Sequence, residues 1–167
     1  YCSGGDPNWD AHHPYKQQLA TAIRRHHIRF VLDLHGMSNR HKIGMAVGTM
    51  NGRSCPQHEQ IIADTLQENA FRLTTEDEAR QLSQLAWNKV VLNHSRFTGG
   101  LINHTITRFA SEKCGVSAAQ FELCSSVRVV RQNGRHACTS PFSGNLDGVR
   151  QTFDTLSCLI QTIVQAG

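Results

Sequence analysis

The amino-acid sequence predicts an α/β domain. A helical pattern over residues 14–28 runs directly into a β-branched and aromatic run at 28–35, and a second strand-like run at 116–123 is followed by a long amphipathic closing segment at 146–164. With 167 residues the chain can bury one continuous core, so a single domain over 1–167 is expected.

In the first helix Tyr15, Leu19 and Ile23 recur on one face, Pro14 suits the opening turn, and basic residues gather near the end. The run Ile28-Arg29-Phe30-Val31-Leu32-Asp33-Leu34-His35, closed by Gly36, has the pattern of a buried strand. After a polar loop, residues 43–47 form a second expected strand, and the Gly-, Asn- and Pro-bearing stretch GTMNGRSCP reads as a loop. Two helices follow. One covers 56–70 with Ile61, Ile62 and Leu66 on its apolar face, and the other covers 75–87, opening on Thr75-Glu76-Asp77-Glu78 with the spacing of a capping box. Residues 89–92 read as a short strand, 105–113 as a helix or turn stopped at Cys114-Gly115, and 116–123 as another strand ending Gln120-Phe121-Glu122-Leu123.

The formal charge of +4 is modest and its cations are scattered without interleaved aromatics, which argues against a nucleic-acid partner. No apolar run approaches the roughly 18 residues of a membrane span, so no membrane partner is expected. The six cysteines, Cys2, Cys55, Cys114, Cys124, Cys138 and Cys158, show no CxxC pair and read as reduced thiols of a cytoplasmic protein. Ten histidines are many for this length, but no HxxxH or HExxH spacing organises them into a metal-storage site.

Three places carry candidate chemistry. Asp33 and His35 are two apart on a strand, so both project to one face near its carboxyl end, where open α/β sheets put their sites. A neutral imidazole there can bind zinc, and the carboxylate can hold the metal or orient the ligand; a histidine satisfied by ordinary hydrogen bonds is the competing reading. Glu122 lies in an apolar strand, where an ionised carboxylate is costly unless used, although alternation could instead turn it to solvent on an edge strand. Arg96, in Asn93-His94-Ser95-Arg96-Phe97-Thr98-Gly99-Gly100, joins a fixed cation to glycines that let backbone N–H groups approach a ligand; a solvated surface turn is the alternative.

In order, DPN at 6–8, HPY at 13–15, LDLHG at 32–36, IG…G…GRSC at 43–55, NxxRFxGG at 93–100 and AQFEL at 119–123 resemble the N-formylglutamate amidohydrolase family over about residues 6–123. The resemblance implies a central mixed sheet flanked by helices, in the phosphorylase/hydrolase-like arrangement of the zinc carboxypeptidases, and one Zn2+ ion. It implies His35 as a zinc ligand supported by Asp33, Glu122 as general base and acid, and Arg96 as the residue that grips substrate or its oxyanion. Asn8, Asn93, Gly99 and Gly100 fall on the substrate side. Trp9 stands where the family follows its Asn with Arg, which leaves the acyl amino acid open.

The family's other two zinc ligands, a His and an acidic residue, lie upstream of the DPN segment. The sequence opens at Tyr1, without an initiator Met, in a stretch that reads like a protein interior. The chain is therefore expected to be the C-terminal portion of such a domain, with the remaining ligands removed, lost, or supplied by a second chain or fragment. The function implied is zinc-dependent hydrolysis of an amide bond in a small N-acyl amino acid. The alternatives are a non-catalytic domain of the same fold that binds a small anion, and a zinc carboxypeptidase-like peptidase.

Overall fold

The computed structural model describes residues 5–101, 103–132 and 142–166; Cys2 and Cys138 lie outside them. The fold is α/β, with a five-stranded mixed central sheet flanked by helices. The elements in order are α1 (Pro14–His26), β1 (Phe30–Met37), β2 (Ile43–Gly48), α2 (Glu59–Glu68), β3 (Arg72–Leu73), α3 (Glu76–Arg80), β4 (Ala86–Leu92), α4 (Ile106–Cys114), β5 (Ser117–Cys124), α5 (Ser125–Arg128), β6 (Arg131–Gln132), β7 (Phe142–Ser143) and α6 (Leu146–Ala166). The sheet order is β1-β5-β2-β4-β3, with β3 and β4 parallel; β6 and β7 form a separate antiparallel pair.

By their contacts the residues group into two compact units: 1–34, 47–59 and 93–121 make the first, and 35–46, 60–92 and 122–167 the second. In the first, Ile23 of α1 packs with Ala110 of α4 and Ala118 of β5, surrounded by Leu19, Ile28, Val31, Cys114 and Val116. Helix α1 starts where the sequence predicts, on Pro14, with the His13 imidazole accepting from the Tyr15 amide at 3.1 Å. It ends because His27 turns left-handed, at φ 51°, and returns its N–H to the Ile23 carbonyl. Helix α4 is capped at Thr105 and stopped by left-handed Gly115.

In the second unit the capping box at Thr75 and Glu78 forms as expected. The helix it opens does not reach residue 87. It stops after Arg80, and Trp87 belongs to β4, whose start is set when the Ala86 amide bonds to the Lys42 carbonyl beside β2. Pairing within the sheet overrides the local helical pattern there. Gly44 makes the pairing possible, since a Cβ at that position would collide with the Trp87 carbonyl.

Two further differences concern β1. The strand continues through Gly36 to Met37 instead of closing at the glycine, and it is not buried on both faces: Leu34 is 53% exposed. β1 has one neighbour because it stands at an end of the strand order, whereas β2, between β5 and β4, is buried at all six positions. The short β3, α5 and β6–β7 pair carry too few residues for any periodicity to announce them. No described helix is long and apolar enough to cross a membrane. Cys55, Cys114, Cys124 and Cys158 are free thiols, as expected; burial raises the Cys55 thiol to about 12 and also raises Cys124, which makes both poor nucleophiles at neutral pH.

Candidate functional site

The candidate residues divide between the two units. Asn8, Asp33, Asn93, Arg96, Gly99 and Gly100 belong to the first, His35 and Glu122 to the second.

In the second unit, His35 lies on β1 and Glu122 on β5, strands that neighbour each other in the sheet. Glu122 is 7% exposed. The reading that turned it to solvent on an edge strand is excluded, because β5 lies between β1 and β2 and seven of its eight residues are buried. Gln120, two residues back and on the same strand face, is buried as well, so this face carries two polar side chains into the interior.

Arg128, which sequence reasoning treated as one scattered cation, lies against this pair of strands. Its Nε donates to the Leu123 carbonyl at 3.1 Å, and its guanidinium covers Gly36 so closely that a Cβ there would stand 2.8 Å from Cζ. A cation is thereby placed beside the residue that follows His35 and the one that follows Glu122. The one signal available in sequence was the glycine after His35, which reads there only as a strand end.

In the first unit, Asp33 accepts from the Thr107 hydroxyl of α4 at 3.2 Å, which fixes the carboxylate in place. Asn8 caps the same helix, its Oδ1 accepting from the Ile106 amide at 3.1 Å while its Nδ2 donates to Asp6 at 3.1 Å. Trp9 beside it is exposed.

Asn93 organises the loop after β2. Its carboxamide oxygen accepts from the amides of Thr49 at 2.8 Å and Asn51 at 3.1 Å, and its Nδ2 donates to Glu59 at 3.3 Å. The Thr49 hydroxyl donates to Glu59 and accepts from the Gly52 amide at 3.1 Å. These bonds hold three successive left-handed residues, Met50 and Asn51 at φ 55° and Gly52 at φ 79°. Neither Thr49 nor Glu59 was picked out from the sequence. A carboxylate ten residues downstream and an amide forty-four away leave no local pattern.

The double glycine is a close backbone contact. Residues 97–100 lie directly on Gly48 and Thr49, with the Met50 amide donating to the Thr98 carbonyl at 2.8 Å and the Thr105 hydroxyl to the Gly99 carbonyl at 2.7 Å. Arg96 rises from this strip, exposed, with its amide donating to His94 at 3.1 Å and its guanidinium making no hydrogen bond or ion pair among the described residues.

A cavity of about 510 Å3 also opens in the first unit, lined among others by Lys16, His104, Arg108, Phe109 and Glu112. Lys16 is 2% exposed, and its ammonium donates to the carbonyls of Asp10 at 2.7 Å and His104. Burial pushes it below its ordinary range, against the opposing pull of Asp10 and Asp6. Replacing Lys16 with Met is expected to lower stability by roughly 1–2 kcal/mol, because the carbonyls of Asp10 and His104 lose their donor in part-buried hydrogen bonds. The unfolded chain binds more protons than the folded one between the lowered value and 10.5, so this group's contribution to stability rises with pH across that window. Urea melts of both proteins at neutral and alkaline pH measure the two effects; an unchanged midpoint at neutral pH would contradict the first.

Among the described residues no three His, Cys, Asp or Glu side chains are grouped to hold a metal ion. Of the donors that the sequence motifs single out, the His35 imidazole is the one suited to bind zinc directly. A scan against known protein families matches none, and searches of curated proteins and of solved structures find no significant match.

Proposed function

We propose that this chain forms part of a zinc-dependent hydrolase of an amide bond in a small N-acyl amino acid, of the kind its motifs resemble. The observation that supports this best is Glu122, a carboxylate held in the interior of the sheet on the strand beside the one that bears His35. A carboxylate is costly at such a place unless it is paired or used, and proton transfer to and from a reacting group is a use that a half-desolvated carboxyl suits. In this reading His35 is one ligand of a zinc ion whose remaining ligands come from outside the chain, and a bound zinc would supply Lewis acidity that makes water acidic at neutral pH.

The chain's own residues carry the rest. Glu122 takes a proton from the attacking water and returns it to the leaving nitrogen. Arg96 grips the substrate's carboxylate or the developing oxyanion, and the tight backbone of Gly99 and Gly100, locked to the Asn93-centred loop, fixes the strip from which Arg96 projects. Asp33, anchored by Thr107, stiffens the strand that presents His35.

The test is hydrolysis of N-formyl and other N-acyl amino acids by the full-length protein, together with its zinc content. His35→Ala is expected to reduce both, with activity falling at least about 100-fold. Unchanged activity and metal content in that variant would sink the proposal. The partial donor set favours one second reading, a metal-free domain of the same fold that binds a small anion through Arg96. Binding of about one zinc per full-length chain with the tight affinity of three protein ligands would exclude it.

A further inference from the structure

Helix α6 is held to its own unit by one side only. Gly148 lies against the Trp87 ring, Gln151 donates to the Asn69 carbonyl, and Thr155, Leu159 and Ile163 are buried. On the other side a line of apolar side chains faces solvent: Leu146 is 62% exposed, Phe153 70%, Ile160 52% and Val164 65%. At 100° per residue these four fall within about 40° of one another, so they form one stripe about 27 Å long.

The spacing of the stripe says what kind of surface fits it. Leu146, Phe153 and Ile160 repeat every seven residues, and Val149, Leu156 and Ile163 repeat at the intervening positions. The seven-residue repeat keeps the exposed row on one side of the helix over its whole length, as a surface that a second helix can cover. Within the subunit only the second row is engaged; the first stands outside.

The charges beside the stripe select the occupant and its direction. Arg150 and Asp154 flank Phe153 on the same side, and both are exposed. When two such helices pack antiparallel, the same flank of each faces the other. With Phe153 opposite Phe153, Leu146 meets Ile160 of the second copy, and Arg150 comes within two residues, about 3 Å along the axis, of the second copy's Asp154. The twofold symmetry forms that ion pair twice. In a parallel pair the Arg150 flank would instead meet the apolar flank of Val149 and Leu156, with no countercharge. We infer that α6 is the seam of an antiparallel homodimer, in which a second copy of this chain covers Leu146, Phe153, Ile160 and Val164.

Sedimentation equilibrium of the full chain over a concentration series tests this. The expected result is a monomer–dimer equilibrium whose dissociation constant rises at least about 100-fold in Phe153→Glu/Ile160→Glu, since each charge enters the seam twice. Both residues are solvent-exposed in the subunit, so the variant's circular dichroism should match that of the parent, and its melting curve should match that of the parent diluted below its dissociation constant. Arg150→Asp is expected to weaken the dimer about 3- to 10-fold, and Arg150→Asp/Asp154→Arg to restore it. A parent chain that stays monomeric at every concentration overturns the inference. So does a dimer indifferent to the two glutamates, or one that the double charge reversal fails to restore.

Discussion

Glu122→Gln is expected to lower kcat for amide hydrolysis by about 100- to 10,000-fold while leaving the fold intact. The substitution keeps the size and shape of the side chain and removes only its capacity to take up and return a proton. The position is 7% exposed on a strand with neighbours on both sides, and the amide of the same shape keeps the packing there. KM should change little, because the proton transfer is made in the transition state and not in substrate binding. Steady-state kinetics beside a thermal melt separate the outcomes. Loss of activity with an unchanged melting point is the result expected of a proton-transferring carboxylate. Activity within twofold of the parent would remove Glu122 from the chemistry altogether.

Gly48→Ala is expected to cost at least about 3 kcal/mol of stability, a large share of the roughly 5–15 kcal/mol of an ordinary domain. A Cβ at Gly48 would drive into the Gly99 amide nitrogen and the Phe97 carbonyl, which are backbone atoms without a rotamer through which to escape. Gly99→Ala should be comparably damaging, since its Cβ would stand 2.5 Å from the Gly48 carbonyl oxygen and its φ of 76° is left-handed. Gly115, left-handed as well but with open space where its Cβ would be, makes the control: its alanine variant carries only the backbone cost, roughly 1–2 kcal/mol. Denaturant melts of the three variants measure the difference. Equal losses at Gly48 and Gly115 would show that the 97–100 strip can yield.

Much of this architecture is written in local pattern. The apolar face of α1, its Pro14 start, the Thr75–Glu78 capping box and the long α6 all follow from spacing that a single element imposes on itself. The candidate site is only partly of this kind. Asp33 and His35 could be placed on one strand face because period two belongs to the strand. Arg128 over Gly36, and Glu59 and Thr49 around Asn93, could not, because those residues meet only after the chain has returned from elsewhere.

The resemblance to the amidohydrolases singles out residues but not their surroundings. Asn93, assigned by it to the substrate side, has its carboxamide occupied with the Met50–Gly52 turn; Asn8, likewise assigned, caps α4. Both side chains are engaged in holding the fold locally.

By itself the sequence determined that the chain is α/β and where most helices begin, since propensity, capping and periodicity act within a few residues. Tertiary structure alone decided that residues 86 and 87 are strand and not helix, that β1 stands at the end of the sheet with Leu34 exposed, and that β5 lies inside it with Glu122 buried. Strand order is a choice among non-local pairings, and burial follows from that order.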